Sequence, residues 1–99
     1  MDRRYKPLTP HEQLQLRQEL NALVLAHPEW EFAQVVRQVR TALHLTIAEM
    51  AKAGRLSVPA LKNIESGSSS PTLQTAGRLL RPFGLRLSVT RNAVDGADP

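Results

Sequence analysis

The 99-residue chain contains no cysteine. That excludes a disulfide framework and any thiolate metal site. No apolar run approaches the ~20 residues needed to span a bilayer. The opening stretch, "MDRRYKPLTP", lacks the apolar segment that follows the basic residues of a secretory signal, so a cytoplasmic location is expected. Internal repeats and long low-complexity segments are missing. "SGSSSP" (residues 66–71) suffices only for a loop. There is no phosphate-binding loop, nucleophile elbow or paired-carboxylate motif. His11, His27 and His44 are too scattered along the chain to suggest a ligand set. Neither enzymatic activity nor a metal or cofactor is expected.

Acid is scarce in the second half. Residues 1–51 carry six Lys/Arg and six Asp/Glu, whereas residues 52–94 carry seven basic side chains against Glu65 alone. The formal net charge of +4 therefore conceals a half at seven minus one, or +6. A surplus gathered in one region points to a polyanionic partner such as nucleic acid.

What is present is helical punctuation. Thr9, Pro10 and Glu12 make a capping box with proline at the first helical position. The stripe Leu16, Leu20, Leu23 and Val24 follows at helical spacing. Pro28 is expected to end that helix and open a second, with Glu29 and Glu31 in its first turn and Phe32, Val35, Val36, Val39 and Leu43 inward. Thr46 caps a third helix, "TIAEMAKA", which Gly54 is expected to break. Ser57 caps a fourth and Gly67 stops it. Thr72 caps a fifth with Leu73, Ala76, Leu80 and Phe83 toward the core. "LRLSVT" (residues 85–90) alternates apolar and polar, the period of a strand.

The third and fourth helices are short and joined by about four residues, the pattern of a helix-turn-helix. The stretch from Val36 to Leu87 is here similar to the lambda-repressor-like (Cro-type, Xre-type) DNA-binding family. The likeness rests on an arginine before the motif, Thr46, the pair Met50–Ala51, Ser57, the ending "LKNIESG", and a Ser/Pro loop before a last amphipathic helix. It implies a mainly α fold: a five-helix bundle carrying the helix-turn-helix, with the short C-terminal strand added. It also implies that the fourth helix enters the major groove with Val58, Pro59, Lys62 and Asn63 toward base edges. Asparagine suits adenine, lysine suits the guanine acceptors, and valine can touch a thymine methyl. Thr46 and Ser57, at the starts of the two motif helices, join the DNA-contacting set. The family further implies that Arg40 pairs with Glu65.

Three departures accompany the likeness. Ile47 stands where the family usually places a polar phosphate-binding residue. Gly54 comes one place early in the turn, with Arg55 after it. The loop behind the fourth helix is Ser68, Ser69 and Ser70 rather than basic. The hydroxyls of Ser68 and Ser69 are therefore expected at phosphates, and Arg55, Arg37, Arg3, Arg4 and Lys6 are expected to supply the charge.

One domain is expected. It divides into an arm and extra helix (1–27), a helix-turn-helix core (28–84), a dimerisation strand (85–91) and a flexible tail (92–99). A lone strand needs a partner for its backbone groups. Residues 85–90 are therefore expected to pair antiparallel with a second copy about a two-fold axis, with Leu85, Leu87 and Val89 as the dimerisation residues covering the bundle. The homodimer is expected to bind double-stranded DNA as a repressor. The alternative is an antitoxin that also holds a toxin protein. The C-terminal strand suggests it, as do Leu14 and Leu25, which face away from the stripe of the first helix.

Overall fold

A computed structural model of the chain describes residues 8–89. Five helices follow one another: α1 (Pro10–Ala26), α2 (Phe32–Ala42), α3 (Ile47–Gly54), α4 (Val58–Glu65) and α5 (Leu73–Leu80). A 3-10 turn, Arg81–Phe83, closes the series. There is no strand among the described residues.

The helix starts follow from side-chain capping. Thr9 and Thr46 each accept a hydrogen bond from the N–H three residues on, while Glu12 and Glu49 accept from the threonine N–H in return. Ser57 accepts from Ala60 N–H, and Thr72 accepts from Thr75 N–H. Each such cap stabilises its helix by about 1 kcal/mol. α2 differs from expectation. It begins at Phe32, with Glu31 as an N-cap that makes no side-chain bond. Residues 27–30 form a turn instead, closed by Trp30 N–H donating to His27 O at 3.1 Å. The His27 ring stacks on Trp30 with centroids 4.3 Å apart. Its Nδ1 lies 2.9 Å from Glu29 Oε2, and that hydrogen bond holds the Glu29 carboxyl below its ordinary pKa.

Three helices end alike. His44, Arg55 and Gly67 take φ of 59°, 59° and 78°. After α2, Leu45 N–H donates to Arg40 O (3.0 Å) and His44 N–H to Thr41 O (3.2 Å). After α3, Leu56 N–H donates to Ala51 O (2.8 Å) and Arg55 N–H to Lys52 O (3.2 Å). After α4, Ser68 N–H donates to Asn63 O (3.0 Å) and Gly67 N–H to Ile64 O (3.1 Å). This double bond satisfies the last helical carbonyls around one left-handed residue. Only the third instance uses glycine. Arg55, at ψ 44°, bears a left-handed conformation costing about 1 kcal/mol relative to glycine.

Gly54 therefore does not break α3; it is the last helical residue. Its small size answers a packing demand. A Cβ there would lie 2.6 Å from Leu79 Cδ1 and 3.3 Å from Leu79 Cα, so α5 can approach α3 only because position 54 has no side chain.

The core joins all five helices: Leu20, Val36, Val39, Met50, Ala51, Leu61, Ile64, Leu79 and Phe83 pack together. Two expected stripes are corrected. In α5, Leu73 is 80% exposed while Leu79 is fully buried. Residues 76, 79, 80 and 83 share one face, and Leu73, at the first turn, projects past the core. In α1, Leu20 is buried and Val24 packs on the core, but Leu23 turns outward. The strand expected from Leu85 is absent, since no second strand among the described residues offers it a ladder. Leu85 packs on the core and donates its N–H to Leu80 O at 3.3 Å. Val89 is 98% exposed, so the alternating apolar face does not cover the bundle. Thr90, Arg91, the tail, and the basic residues Arg3, Arg4 and Lys6 lie outside the described residues. No described helix is long and apolar enough to cross a membrane.

Candidate nucleic-acid interface

Helix α4 has two faces with different surroundings. Inward, Leu61 and Ile64 are buried in the core, and Glu65 is only 6% exposed. Outward, Val58, Pro59, Lys62 and Asn63 are exposed. Pro59 occupies the second helical position, where its missing N–H has no helical partner to lose.

Glu65 fixes the rotation of α4. Arg40 of α2 grips it with Nε on Oε2 at 2.7 Å and Nη2 on Oε1 at 3.1 Å, a bidentate pair. Arg40 Nη1 also donates to Leu45 O at 3.3 Å, so one guanidinium ties α2, the turn before α3, and α4. Arg37 donates to the Glu65 backbone carbonyl. It thereby braces the C-terminal end of α4 and leaves its remaining N–H groups at an exposed position. Burying Glu65 without Arg40 would leave a bare charge in the core, which is strongly unfavourable.

The serine loop folds back on the same helix end. The Asn63 carbonyl accepts from Ser68 N–H and Ser69 N–H, and from the hydroxyls of Ser66 (3.1 Å) and Ser68 (3.3 Å). The single Ser68 O–H is shared between that carbonyl and Asn63 Oδ1, which lies 3.4 Å from Ser68 Oγ. Ser69 is exposed beside it. Thr46 and Ser57 use their hydroxyl oxygens as caps, which leaves each O–H free to donate outward. α3 and α4 are joined by Arg55, Leu56 and Ser57 alone, a tight turn that keeps the two helices in contact.

Arg55 sits in that turn, ahead of the outward row of α4. Its side chain lines a cleft of about 280 Å³ with Arg78, Arg81, Ala53 and Pro82. Residue spacing could not have joined Arg55 to Arg78 and Arg81, because the approach of α5 to Gly54 brings them together. Leu87 shares another groove with the outward Leu73. Among the described residues, no group of His, Cys, Asp and Glu is arranged to hold a metal.

Two short packed helices, a three-residue turn and an outward row of exposed residues on the second helix define a helix-turn-helix DNA-binding module. A family model described as Helix-turn-helix matches residues 36–89, just over half of the chain. The chain belongs to this lambda-repressor-like, Cro/C1-type family, whose domain is that of DNA-binding transcription regulators. No curated protein and no solved structure gives a significant match. The matched segment begins inside α2, so α1 lies outside it.

Proposed function

We propose that the chain is a sequence-specific repressor that binds double-stranded DNA as a two-fold homodimer on a near-palindromic operator. The observation that carries this is the division of α4: one face locked by the core and Arg40–Glu65, the other presenting Val58, Pro59, Lys62 and Asn63. A row with two hydrogen-bonding side chains and two apolar ones, held rigid yet uncovered, suits a groove of base edges and thymine methyls. Asn63 and Lys62 read bases; Val58 and Pro59 supply shape and methyl contacts. Thr46, Ser57, Ser68, Ser69 and Arg37 hold phosphates and set the register. Charge supports the assignment, because Glu65 is the sole carboxylate in residues 50–89 and it is neutralised internally.

The dimer reading rests on the extended segment behind Gly84. Its edge has no ladder, and Leu73, Leu87 and Val89 are exposed close by. A second copy pairing antiparallel about a two-fold axis satisfies both edges at once. Two copies of α4 set about 34 Å apart then reach successive major grooves. Selection of bound sequences from random DNA tests both parts. The expected product is a near-palindrome, and Asn63→Ala relaxes preference at one position per half-site, costing about 1–3 kcal/mol there. An unchanged preference in that variant refutes the placement of α4.

A second reading, an antitoxin that also holds a toxin protein, is favoured by one observation. Leu14 and Leu25 are 57% and 82% exposed. They lie on one side of α1, roughly three turns apart. If this face binds a partner, Leu14→Ser with Leu25→Ser abolishes co-purification with it and leaves DNA binding intact.

A further inference from the structure

Of the cleft lined by Arg55, Arg78 and Arg81, only Arg55 figures in the DNA expectation, as a source of charge; Arg78 and Arg81 have no part in it. Among the described residues, Ala53 and Pro82 complete the cleft's lining. A fourth guanidinium adjoins it: Arg17 of α1 donates to Pro82 O at 2.8 Å. Among the described residues, no carboxylate lies within salt-bridge distance of these four side chains. Arg78 is partly buried and pinned, its Nε donating to Gly54 O at 3.0 Å. That bond uses one of the five N–H donors of its guanidinium. Arg55 is held beside it in a left-handed backbone conformation that glycine would adopt at lower cost. The C-terminal ends of α3 and α5 meet here, and their negative partial charge eases the gathering of cations. It does not use the outward N–H donors. By contrast, Thr46 and Thr72 mark the opposite, N-terminal ends of the same two helices.

We propose that this cleft is an anion site that takes a phosphate group. Planar guanidinia present paired donors to phosphate oxygens, and three of them around one small cleft can share a dianion. The phosphate belongs either to a free phosphorylated small molecule or to the backbone of bound DNA. The site stands on its own geometry and does not depend on the proposed operator.

Pyrophosphate titrated calorimetrically into the full chain, without DNA, is the primary test. Binding is expected, and Arg81→Glu should weaken it at least tenfold. Arg81 is exposed, so that variant should keep the wild-type melting temperature, which serves as the folding control. Arg81→Lys should retain part of the affinity, since it keeps the charge but loses the fork. Repeating the titration on a protein–DNA complex separates the two sources. Unchanged pyrophosphate affinity assigns the site to a free ligand. Competition, with the salt dependence of DNA binding reduced by about one unit in Arg81→Ala, assigns it to the DNA backbone. Two results together overturn the proposal: pyrophosphate that fails to bind or binds Arg81→Glu equally well, and an unchanged salt dependence of DNA binding in Arg81→Ala.

Discussion

Substituting alanine at two helical glycines is expected to have effects of opposite sign. Gly77 lies inside α5, and a Cβ built there meets nothing within 4 Å. Alanine at that position gains helix propensity of about 1 kcal/mol. Gly54 is also helical, but its Cβ would stand 2.6 Å from Leu79 Cδ1 and 3.3 Å from Leu79 Cα. The methyl group could be accommodated if only the end of a mobile side chain were in the way. Leu79 is fully buried, however, so its Cδ1 has nowhere to go, and its backbone must also give. Overpacking of this kind costs about 1–3 kcal/mol. The propensity gain is smaller at a final helical position, so Gly54→Ala should lose about 1 kcal/mol net. The two variants should then differ by about 2 kcal/mol, or roughly 8–16 °C in melting temperature for a domain of this size. Urea unfolding followed by circular dichroism measures both. A coupling check sharpens the test: Leu79→Ala should cost less in the Gly54→Ala background than in the wild type, because it removes the colliding methyl. A Gly54→Ala protein as stable as Gly77→Ala would refute the close crossing of α3 and α5.

Two further outcomes follow from the same geometry. Arg40→Met should destabilise by about 3 kcal/mol, and adding Glu65→Met should return most of that, because the penalty arises from the charge left behind rather than from a lost attraction; thermal unfolding of the single and double variants checks this. Arg55→Gly should stabilise by about 0.5 kcal/mol at most, since relief of the left-handed backbone is largely offset by the entropy glycine adds to the unfolded chain, while weakening pyrophosphate binding; a clear stability loss in thermal unfolding would show that the Arg55 side chain contributes more than its backbone conformation costs.

Local signals were legible, and contacts between distant segments were not. Thr9 with Glu12, Thr46, Ser57 and Thr72 located four helix starts because capping chemistry acts within three or four residues. Arg40 and Glu65 could be paired from the family likeness, since the motif carries that contact with it. The role of Gly54 is not legible locally, because a glycine near a helix end has two uses and only the position of Leu79 distinguishes them. Leu73 and Leu79 fit helical spacing equally well; which one turns inward depends on where the core ends. The strand period of residues 85–89 was real as a pattern, but a ladder needs a partner, and one chain supplies none among its described residues. The arginine cleft had no sequence signal, because Arg55 follows α3 while Arg78 and Arg81 come from α5 and the 3-10 turn behind it.

Helix α4 also has a consequence for how such a protein changes over time. Its inward residues are constrained by the core and by Arg40, whereas the side chains of Val58 and Lys62 support nothing described in the fold and that of Asn63 makes only one long bond, to Ser68. Replacements at these three positions should alter the preferred sequence while leaving stability within about 0.5 kcal/mol, the usual range for surface changes away from special features. Ser57 and Pro59 are less free, since one caps the helix and the other is tolerated only in its first turn. A lineage carrying this scaffold can therefore acquire new target sites through a few substitutions on a single helix, without passing through unstable intermediates.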